Sequence, residues 1–171
     1  MISLDKRVEA WIVAHRVGWL DWLSIALSRI GMLGAVWIVI GLVLAVAYKR
    51  PWLLVAVVAA DAAADLIASF GKSIVMRHRP FVHQLGPPTT THSFPSGHAA
   101  TSFACATVLA VAVPRLRVPL FALATLIALS RLYNGDHFPL DVIAGAALGV
   151  ATALLLLAAA RRGSLRVPRA D

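Results

Sequence analysis

Long apolar runs separated by short charged clusters dominate the chain. Five such runs cover residues 31–48, 52–70, 99–113, 118–129 and 140–160. A helix needs about 20 apolar residues to cross the hydrocarbon layer of a membrane, so the two shortest runs are expected to extend into the polar residues beside them. The pattern predicts an all-α, polytopic membrane helix bundle with five transmembrane helices, or six if the N-terminal segment also spans.

The first 30 residues have an amphipathic pattern instead. Trp11, Trp19 and Trp22 are mixed with charged residues, and Val17-Gly18 interrupts the pattern. Such segments are typical of helices that lie in the membrane interface, so we predict one or two interfacial helices over 1–30, with a tilted first span as the alternative. One membrane domain, 1–171, then comprises this segment, a transmembrane core over 31–160 and a basic tail over 161–171.

Composition supports a lipid environment. Hydrophobic residues make up 60% of the chain, more than an ordinary soluble domain needs. The net charge of +8 arises from basic residues in clusters between apolar runs, so anionic lipid is the predicted partner rather than nucleic acid. The one cysteine, Cys105, excludes an intrachain disulfide. Charged residues over 5–9 interrupt the apolar core that a cleavable signal peptide needs.

The polar segments between the runs differ in charge. Segments 49–50, 114–117 and 161–171 contain eight basic residues and one acidic residue, Asp171. Cytoplasmic loops carry an excess of Lys and Arg, so these segments are predicted to face the cytoplasm of a multi-pass plasma-membrane protein. Five of the six histidines lie at or beside segments 71–97 and 130–139, which places them on the extracytoplasmic side.

Carboxylates and histidines are the polar features with open roles. Asp61 and Asp65 lie one helical turn apart in the second run, and carboxylates in membrane helices generally face a bundle interior or a polar cavity. They support either a polar site at the end of this helix or a hydrogen bond between helices. Residues 71–97 are predicted to form a long polar loop, whose histidines are expected to be solvated rather than metal-bound: His78, His83 and His92.

The segment Phe94-Pro95-Ser96-Gly97-His98 combines special backbone residues with chemical groups. Pro95 restricts φ and Ser96 is a favoured N-cap, so a helix is predicted to begin here with free N–H groups. Gly97 allows close approach of an anion to those groups. His98 would lie beside the anion. The alternative is an ordinary capped helix start with a surface histidine.

Two further segments are predicted to meet the Phe94 to His98 segment on the extracytoplasmic face. Lys72 and Arg79-Pro80 lie before it, and Ser130-Arg131 lies after it with His137 and Asp141. Ammonium and guanidinium groups neutralise phosphate, and guanidinium groups bind its oxygens in pairs. His137 and Asp141 are four residues apart around Pro139, so the carboxylate can orient the imidazole for nucleophilic attack. His98 would supply a proton to the leaving oxygen.

These motifs resemble the signature of the type 2 phosphatidic acid phosphatase superfamily, whose soluble relatives include the vanadium haloperoxidases. The three parts are Lys72 to Pro80, Pro95 to His98, and Ser130 to Asp141, intact and in order. The short chain and its N-terminal segment look most like the small bacterial undecaprenyl-diphosphatases of the bacitracin-resistance type. Asp136 stands where many relatives are expected to have a small or apolar residue, which leaves the pH optimum open.

The resemblance implies a division of roles. His137 would be the nucleophile that forms a phosphohistidine, Asp141 would orient it, and His98 would be the general acid. The implied phosphate-binding residues are Lys72, Arg79, Ser96, Gly97 and Arg131. No metal and no cofactor is required, because cationic and amide groups supply the charge stabilisation.

The predicted function is hydrolysis of undecaprenyl diphosphate at the outer face. Phosphatidic acid, phosphatidylglycerophosphate or another prenyl phosphate is the alternative substrate, because the motifs do not distinguish the lipid. A phosphate-lipid transport or assembly subunit is the alternative without catalysis. The presence of His98, His137 and Asp141 argues against it, since a binding protein needs cations but no oriented nucleophile.

Overall fold

The computed structural model describes residues 2–31, 34–80, 84–86 and 91–164. Seven α-helices and no strand occur within these ranges, which confirms the all-α class. The helices are α1 Ile2–Ala14, α2 Gly18–Ile30, α3 Ala35–Ala47, α4 Trp52–Val75, α5 Gly97–Ala112, α6 Arg117–Tyr133 and α7 Pro139–Ser164, with a 3-10 turn at Pro114–Leu116. His83 and residues 165–171 of the predicted tail lie outside the described ranges.

Helix α5 forms the centre of the bundle. Twelve of its 16 residues are buried, and α4, α6 and α7 pack around it. Most of the buried residues are small, which lets neighbouring backbones approach closely. On α7, Gly145 and Gly149 allow the same close approach, because a Cβ at Gly145 would collide with the carbonyl of Ser96 and one at Gly149 with the carbonyl of Ala100.

Helix boundaries differ from the sequence prediction near the polar loops. Helix α4 continues to Val75, so Lys72 lies in its last turn, and the prediction that Lys72 belongs to a loop is wrong. Asp61, Asp65 and Lys72 of α4 line a cavity beside the start of α5. The short runs extend as predicted, because α5 begins at Gly97 and α6 ends at Tyr133.

The N-terminal segment forms two helices with a break at residues 15–17, as the sequence predicts. The tryptophans on it are exposed, whereas Asp5 and Glu9 of α1 are buried. The break is attached to the end of α6, where the N–H of Val17 donates to the Tyr133 hydroxyl at 2.8 Å and that hydroxyl donates to Asp21 at 2.8 Å. The segment is therefore packed into the bundle and does not lie apart from it.

Within the part of the chain that the structure describes, three helical segments are long and apolar enough to cross a membrane: Trp52–Val75, Pro114–Tyr133 and Pro139–Arg162. Helices α2 and α3 together pass the same test as one broken span, which gives up to four. Helix α5, with 16 residues, is about 24 Å long and falls short of the hydrocarbon thickness of ~30 Å. The chain is a helical membrane protein, and the number of five crossings stays a prediction.

Candidate active site

Alternating helix directions bring the predicted site residues to one end of the bundle. The end of α4, the start of α5, the end of α6 and the start of α7 meet there, together with the segments that follow α4 and precede α7. Lys72 and His98 line one cavity there, and His137 lies beside Arg79. The structure thus gathers side chains that lie up to 69 positions apart, between Lys72 and Asp141.

His137 lies just before α7 and is buried, with 2% of its surface exposed. Its Nδ1 lies 3.5 Å from Oδ2 of Asp141, and its Nε2 lies 3.3 Å from Nη1 of Arg79. The distance to the carboxylate is longer than that of an ordinary hydrogen bond. A proton on Nδ1 would face Asp141 and leave the Nε2 lone pair directed at the guanidinium.

Burial keeps this imidazole neutral at physiological pH. It lowers the pKa of His137 to about 4, with the positive charge of Arg79 acting in the same direction and Asp141 acting against both. A neutral imidazole has the free electron pair that nucleophilic attack requires. The nucleophile predicted from the sequence is therefore in its reactive protonation state.

Backbone oxygens hold Arg79 in place. Its Nη1 donates to the carbonyl of Asp136 at 2.7 Å, and its Nε donates to the carbonyl of Thr91 at 2.7 Å. Burial lowers the pKa of Arg79, and the nearby carboxylate of Asp136 opposes that effect. The guanidinium is charged at any accessible pH, so it presents a positioned positive charge beside His137 Nε2.

The second guanidinium of the site, Arg131, is buried at the end of α6. Its Nη2 lies 2.9 Å from Oδ2 of Asp136, and its Nη1 donates to the Ser28 hydroxyl of α2. Asp136 is thus the counterion of a predicted phosphate-binding residue. Burial raises the pKa of Asp136 while Arg131 opposes the rise.

Ser96 occupies the N-cap position of α5, as predicted, but its side chain makes no capping hydrogen bond. Its hydroxyl is fully buried and has no partner among the described residues. The backbone N–H of Ser96 donates instead to the carbonyl of Asp141 at 2.9 Å, which joins the start of α5 to α7. The hydroxyl is therefore available for a ligand at the helix start.

Lys72 and His98 flank this helix start. A Cβ on Gly97 would lie 3.5 Å from Nζ of Lys72 and 3.7 Å from Oδ1 of Asp65, so the missing side chain leaves room for the ammonium group beside the helix N-terminus. Nε2 of His98 is buried and has no hydrogen-bond partner within the described ranges. The groups predicted to hold and protonate a phosphate are adjacent.

A cavity of about 260 Å³ adjoins His98 and Lys72. Asp61 and Asp65 of α4 line it, together with Gly34, which has no side chain to fill the space beside Asp61. The two carboxylates therefore face a cavity beside His98 and Lys72. Among the described residues, no group of three His, Cys, Asp or Glu side chains is arranged to hold a metal ion.

Sequence reasoning missed three residues that contact the site: Asp5, Ser28 and Arg77. Arg77 donates to Asp141 and to Asp5, although it lies in the spacer between Lys72 and Arg79. Asp5 and Ser28 come from the N-terminal helices, which the sequence assigned to the membrane interface. The one available signal was a pair of acidic residues, Asp5 and Glu9, one turn apart in an interfacial segment.

Apolar helices thus bring an ammonium group, two guanidinium groups and two imidazoles to one end of the bundle, an arrangement suited to binding a phosphate. The sequence model of the PAP2 superfamily matches residues 50–163 of this chain, which is more than half of its length. The chain belongs to the PAP2 superfamily, and it is a membrane lipid phosphatase of that superfamily.

Individual relatives act on different lipids. The chain is 30% identical over 154 residues to an undecaprenyl-diphosphatase of Sulfolobus acidocaldarius, covering 86% of this chain and 74% of that protein. It is 38% identical over 133 residues to a decaprenylphosphoryl-5-phosphoribose phosphatase of Mycolicibacterium smegmatis, covering 70% and 68%. A crystal structure of a phosphatidylglycerolphosphate phosphatase from Bacillus subtilis shares the fold, with a TM-score of 0.75 and 24% identity over 99% of this chain and 88% of that chain.

Proposed function

We propose that this protein removes the terminal phosphate of undecaprenyl diphosphate at the outer face of the plasma membrane through a phosphohistidine on His137. The observation that carries the proposal is the direction of His137, whose Nε2 lies 3.3 Å from the Arg79 guanidinium while Nδ1 faces Asp141. A phosphate bound by Arg79 would be in contact with the nucleophilic nitrogen. The undecaprenyl-diphosphatase among the relatives supports this choice of lipid.

The proposed reaction has two steps. In the first, Nε2 of His137 attacks phosphorus, the bond to the leaving oxygen breaks, and His98 donates a proton to that oxygen. In the second, His98 takes a proton from water, the resulting hydroxide attacks the phosphohistidine, and inorganic phosphate leaves with His137 restored. Each proton released is accepted by a named group, so both residues return to their starting states.

Protein groups supply the charge stabilisation in this scheme. Lys72, Arg79 and Arg131 would surround the bound phosphate, and the N–H groups at the start of α5 would add partial positive charge. The Ser96 hydroxyl, buried without a partner among the described residues, would donate to a phosphate oxygen. Gly97 lets the phosphate approach the backbone. We therefore propose that turnover needs no metal ion, and activity in excess EDTA tests this.

The location of the site fits a lipid substrate. It lies at the end of an apolar bundle, so a polyprenyl chain can stay in the bilayer while its headgroup enters from the interface. The loops at the opposite end include Lys49, Arg50, Arg115 and Arg117, and the excess of basic residues there supports a cytoplasmic location for that end. The site end would then be extracytoplasmic.

One observation favours a second substrate class, a phosphate monoester on a hydroxyl-rich headgroup. Asp61 and Asp65 line the cavity beside His98, where the group attached to the leaving oxygen would lie. Carboxylates accept hydrogen bonds from hydroxyl groups and repel a second phosphate. The phosphoribose phosphatase among the relatives is consistent with this class.

The discriminating experiment compares kcat/KM on three lipids in one detergent: undecaprenyl diphosphate, a decaprenylphosphoryl-5-phosphoribose and phosphatidic acid. The proposal expects the highest value on the diphosphate, and a preference of tenfold or more, equal to about 1.4 kcal/mol, for the phosphoribose lipid would favour the second class. His137→Ala is the control for catalysis. Absence of phosphate release from every lipid by the wild-type protein would support a binding or transport role instead.

A further inference from the structure

Arg77 lies between two buried carboxylates. Its Nη1 donates to Oδ1 of Asp141 at 2.6 Å, and its Nη2 donates to Oδ2 of Asp5 at 2.5 Å. The side chains of Asp5 and Asp141 are 2% and 0% exposed. Carboxylates removed from water to this extent depend on their charged and hydrogen-bonded partners. The guanidinium therefore links helix α1 to the carboxylate that faces His137.

Arg77 and Asp5 together contact the turn that follows His137 at three places. The guanidinium of Arg77 lies over the ring of Phe138, 4.2 Å from its centroid. Oδ1 of Asp5 accepts a hydrogen bond from the N–H of Leu140 at 3.0 Å, which is one of the unpaired amides at the start of α7. The third place is the carboxylate of Asp141. Ring, amide and carboxylate together restrict the turn that carries the imidazole.

The two oxygens of Asp141 have separate partners as a result. Oδ1 is bound to Arg77, whereas Oδ2 accepts the N–H of Phe138 at 2.9 Å and faces Nδ1 of His137 at 3.5 Å. With Oδ1 held, the carboxylate cannot rotate away from the imidazole. The contact that sets the tautomer and direction of His137 thus depends on Arg77, and Arg77 in turn is held from its other side by Asp5.

We propose that Asp5 and Arg77 are positioning residues that act on His137 through Asp141, which makes the N-terminal helix α1 a part of the active site. Asp5 lies outside the segment 50–163 that matches the superfamily. The proposal rests on the proposed role of His137 as nucleophile. The new element is that His137 depends on the carboxylate of Asp5, which lies in the segment before the superfamily region.

A double-mutant cycle tests the proposal on the full-length protein in detergent, with p-nitrophenyl phosphate as the substrate. Arg77→Met removes the charge but keeps the length of the side chain, and kcat is expected to fall about 30-fold to 100-fold with KM changed less than about threefold. The loss stays below the roughly 10⁴-fold known for removing an orienting carboxylate outright. In the Asp141→Asn background, the same change is expected to cost less than about threefold, because residues that act as a unit are not additive.

Two further variants separate positioning from stability. Arg77→Lys keeps the charge and is expected to recover about tenfold of the lost kcat, since an ammonium can bind one carboxylate but lacks the fork that bridges two. Asp5→Asn is expected to lower kcat about tenfold, whereas Lys6→Gln on the exposed face of α1 is the matched control and is expected to keep wild-type kcat. If Arg77→Met does not fold, the cycle is measured with Asp5→Asn and Asp141→Asn.

Each outcome decides a separate question. The positioning role would be overturned if the two losses of kcat multiplied in the Arg77→Met, Asp141→Asn double variant. Wild-type kcat in both Arg77→Met and Asp5→Asn would overturn it as well. His137→Ala is measured in the same series for formation of a phosphoenzyme. Full turnover by that variant would refute the proposed function itself, whereas an inactive His137→Ala with additive Arg77 and Asp141 losses would refute only the positioning role.

Discussion

Adding one methyl group at Gly145 is expected to disturb both packing and catalysis. A Cβ at this position would collide with the carbonyl oxygen of Ser96 and lie 3.1 Å from the Cβ of Ala99. Ser96 precedes His98 at the start of α5, and its N–H is bound to the carbonyl of Asp141. Gly145→Ala must therefore push α7 away from α5 at the level where the segments that carry His98 and Asp141 are joined.

The size of the effect follows from the contact. The clash is with backbone, which cannot rotate away as a side chain can, and overpacking of this kind costs about 1–3 kcal/mol. At about 2–4 °C per kcal/mol for a chain of this length, the melting temperature should fall by ~2–12 °C. A displacement of about 1 Å at a catalytic group costs as much as 100-fold in rate. We therefore expect a drop in kcat of about 10-fold to 100-fold per folded molecule.

Thermal unfolding in detergent and phosphate release measure the two effects on the same samples. Gly149→Ala is the first control, because its Cβ would meet Ala100 and Ala104 one turn further from the site; it should destabilise the protein but lower kcat less. Gly18→Ala is the second control, since nothing lies within 4 Å of its added Cβ. Wild-type stability and kcat in Gly145→Ala would refute this account of the α5 and α7 interface.

Three other predictions concern the chemistry and orientation of the site. His137→Ala should form no phosphoenzyme, whereas His98→Ala should be severe for a lipid alkoxide and milder for p-nitrophenyl phosphate, because a leaving group of low pKa needs less protonation; a phosphoenzyme in His137→Ala would contradict the assignment. The acid limb of kcat/KM should lie near pH 4 rather than 6.5, because burial and Arg79 keep His137 neutral until the pH falls to about 4; a limb at 6.5 would show a solvated imidazole. A cysteine at exposed His78 should react with an impermeant thiol reagent in intact cells, whereas one at Arg115 should be protected, and the reverse pattern would invert the topology.

Helix positions and motif residues were accessible from the sequence because both depend on local information. Apolar runs predict helices without reference to their neighbours, and the spacing of His137 and Asp141 around Pro139 predicts their places at the start of α7. The predicted end of the fourth helix was wrong by several residues, since Lys72 and its polar neighbours are helical. Lys72 lines a cavity beside the start of α5, and a count of apolar residues along the chain contains no information about that neighbour.

The contacts of Asp136 and Arg77 show what depended on tertiary structure. Asp136 has no evident role in the sequence, and the fold makes it the counterion of Arg131 at 2.9 Å. Arg77 and Asp5 lie 72 positions apart, and no periodicity relates them. The two residues pair because α1 packs beside the start of α7. A buried charge is stabilised by an opposite charge that is close in space, whatever their separation along the chain.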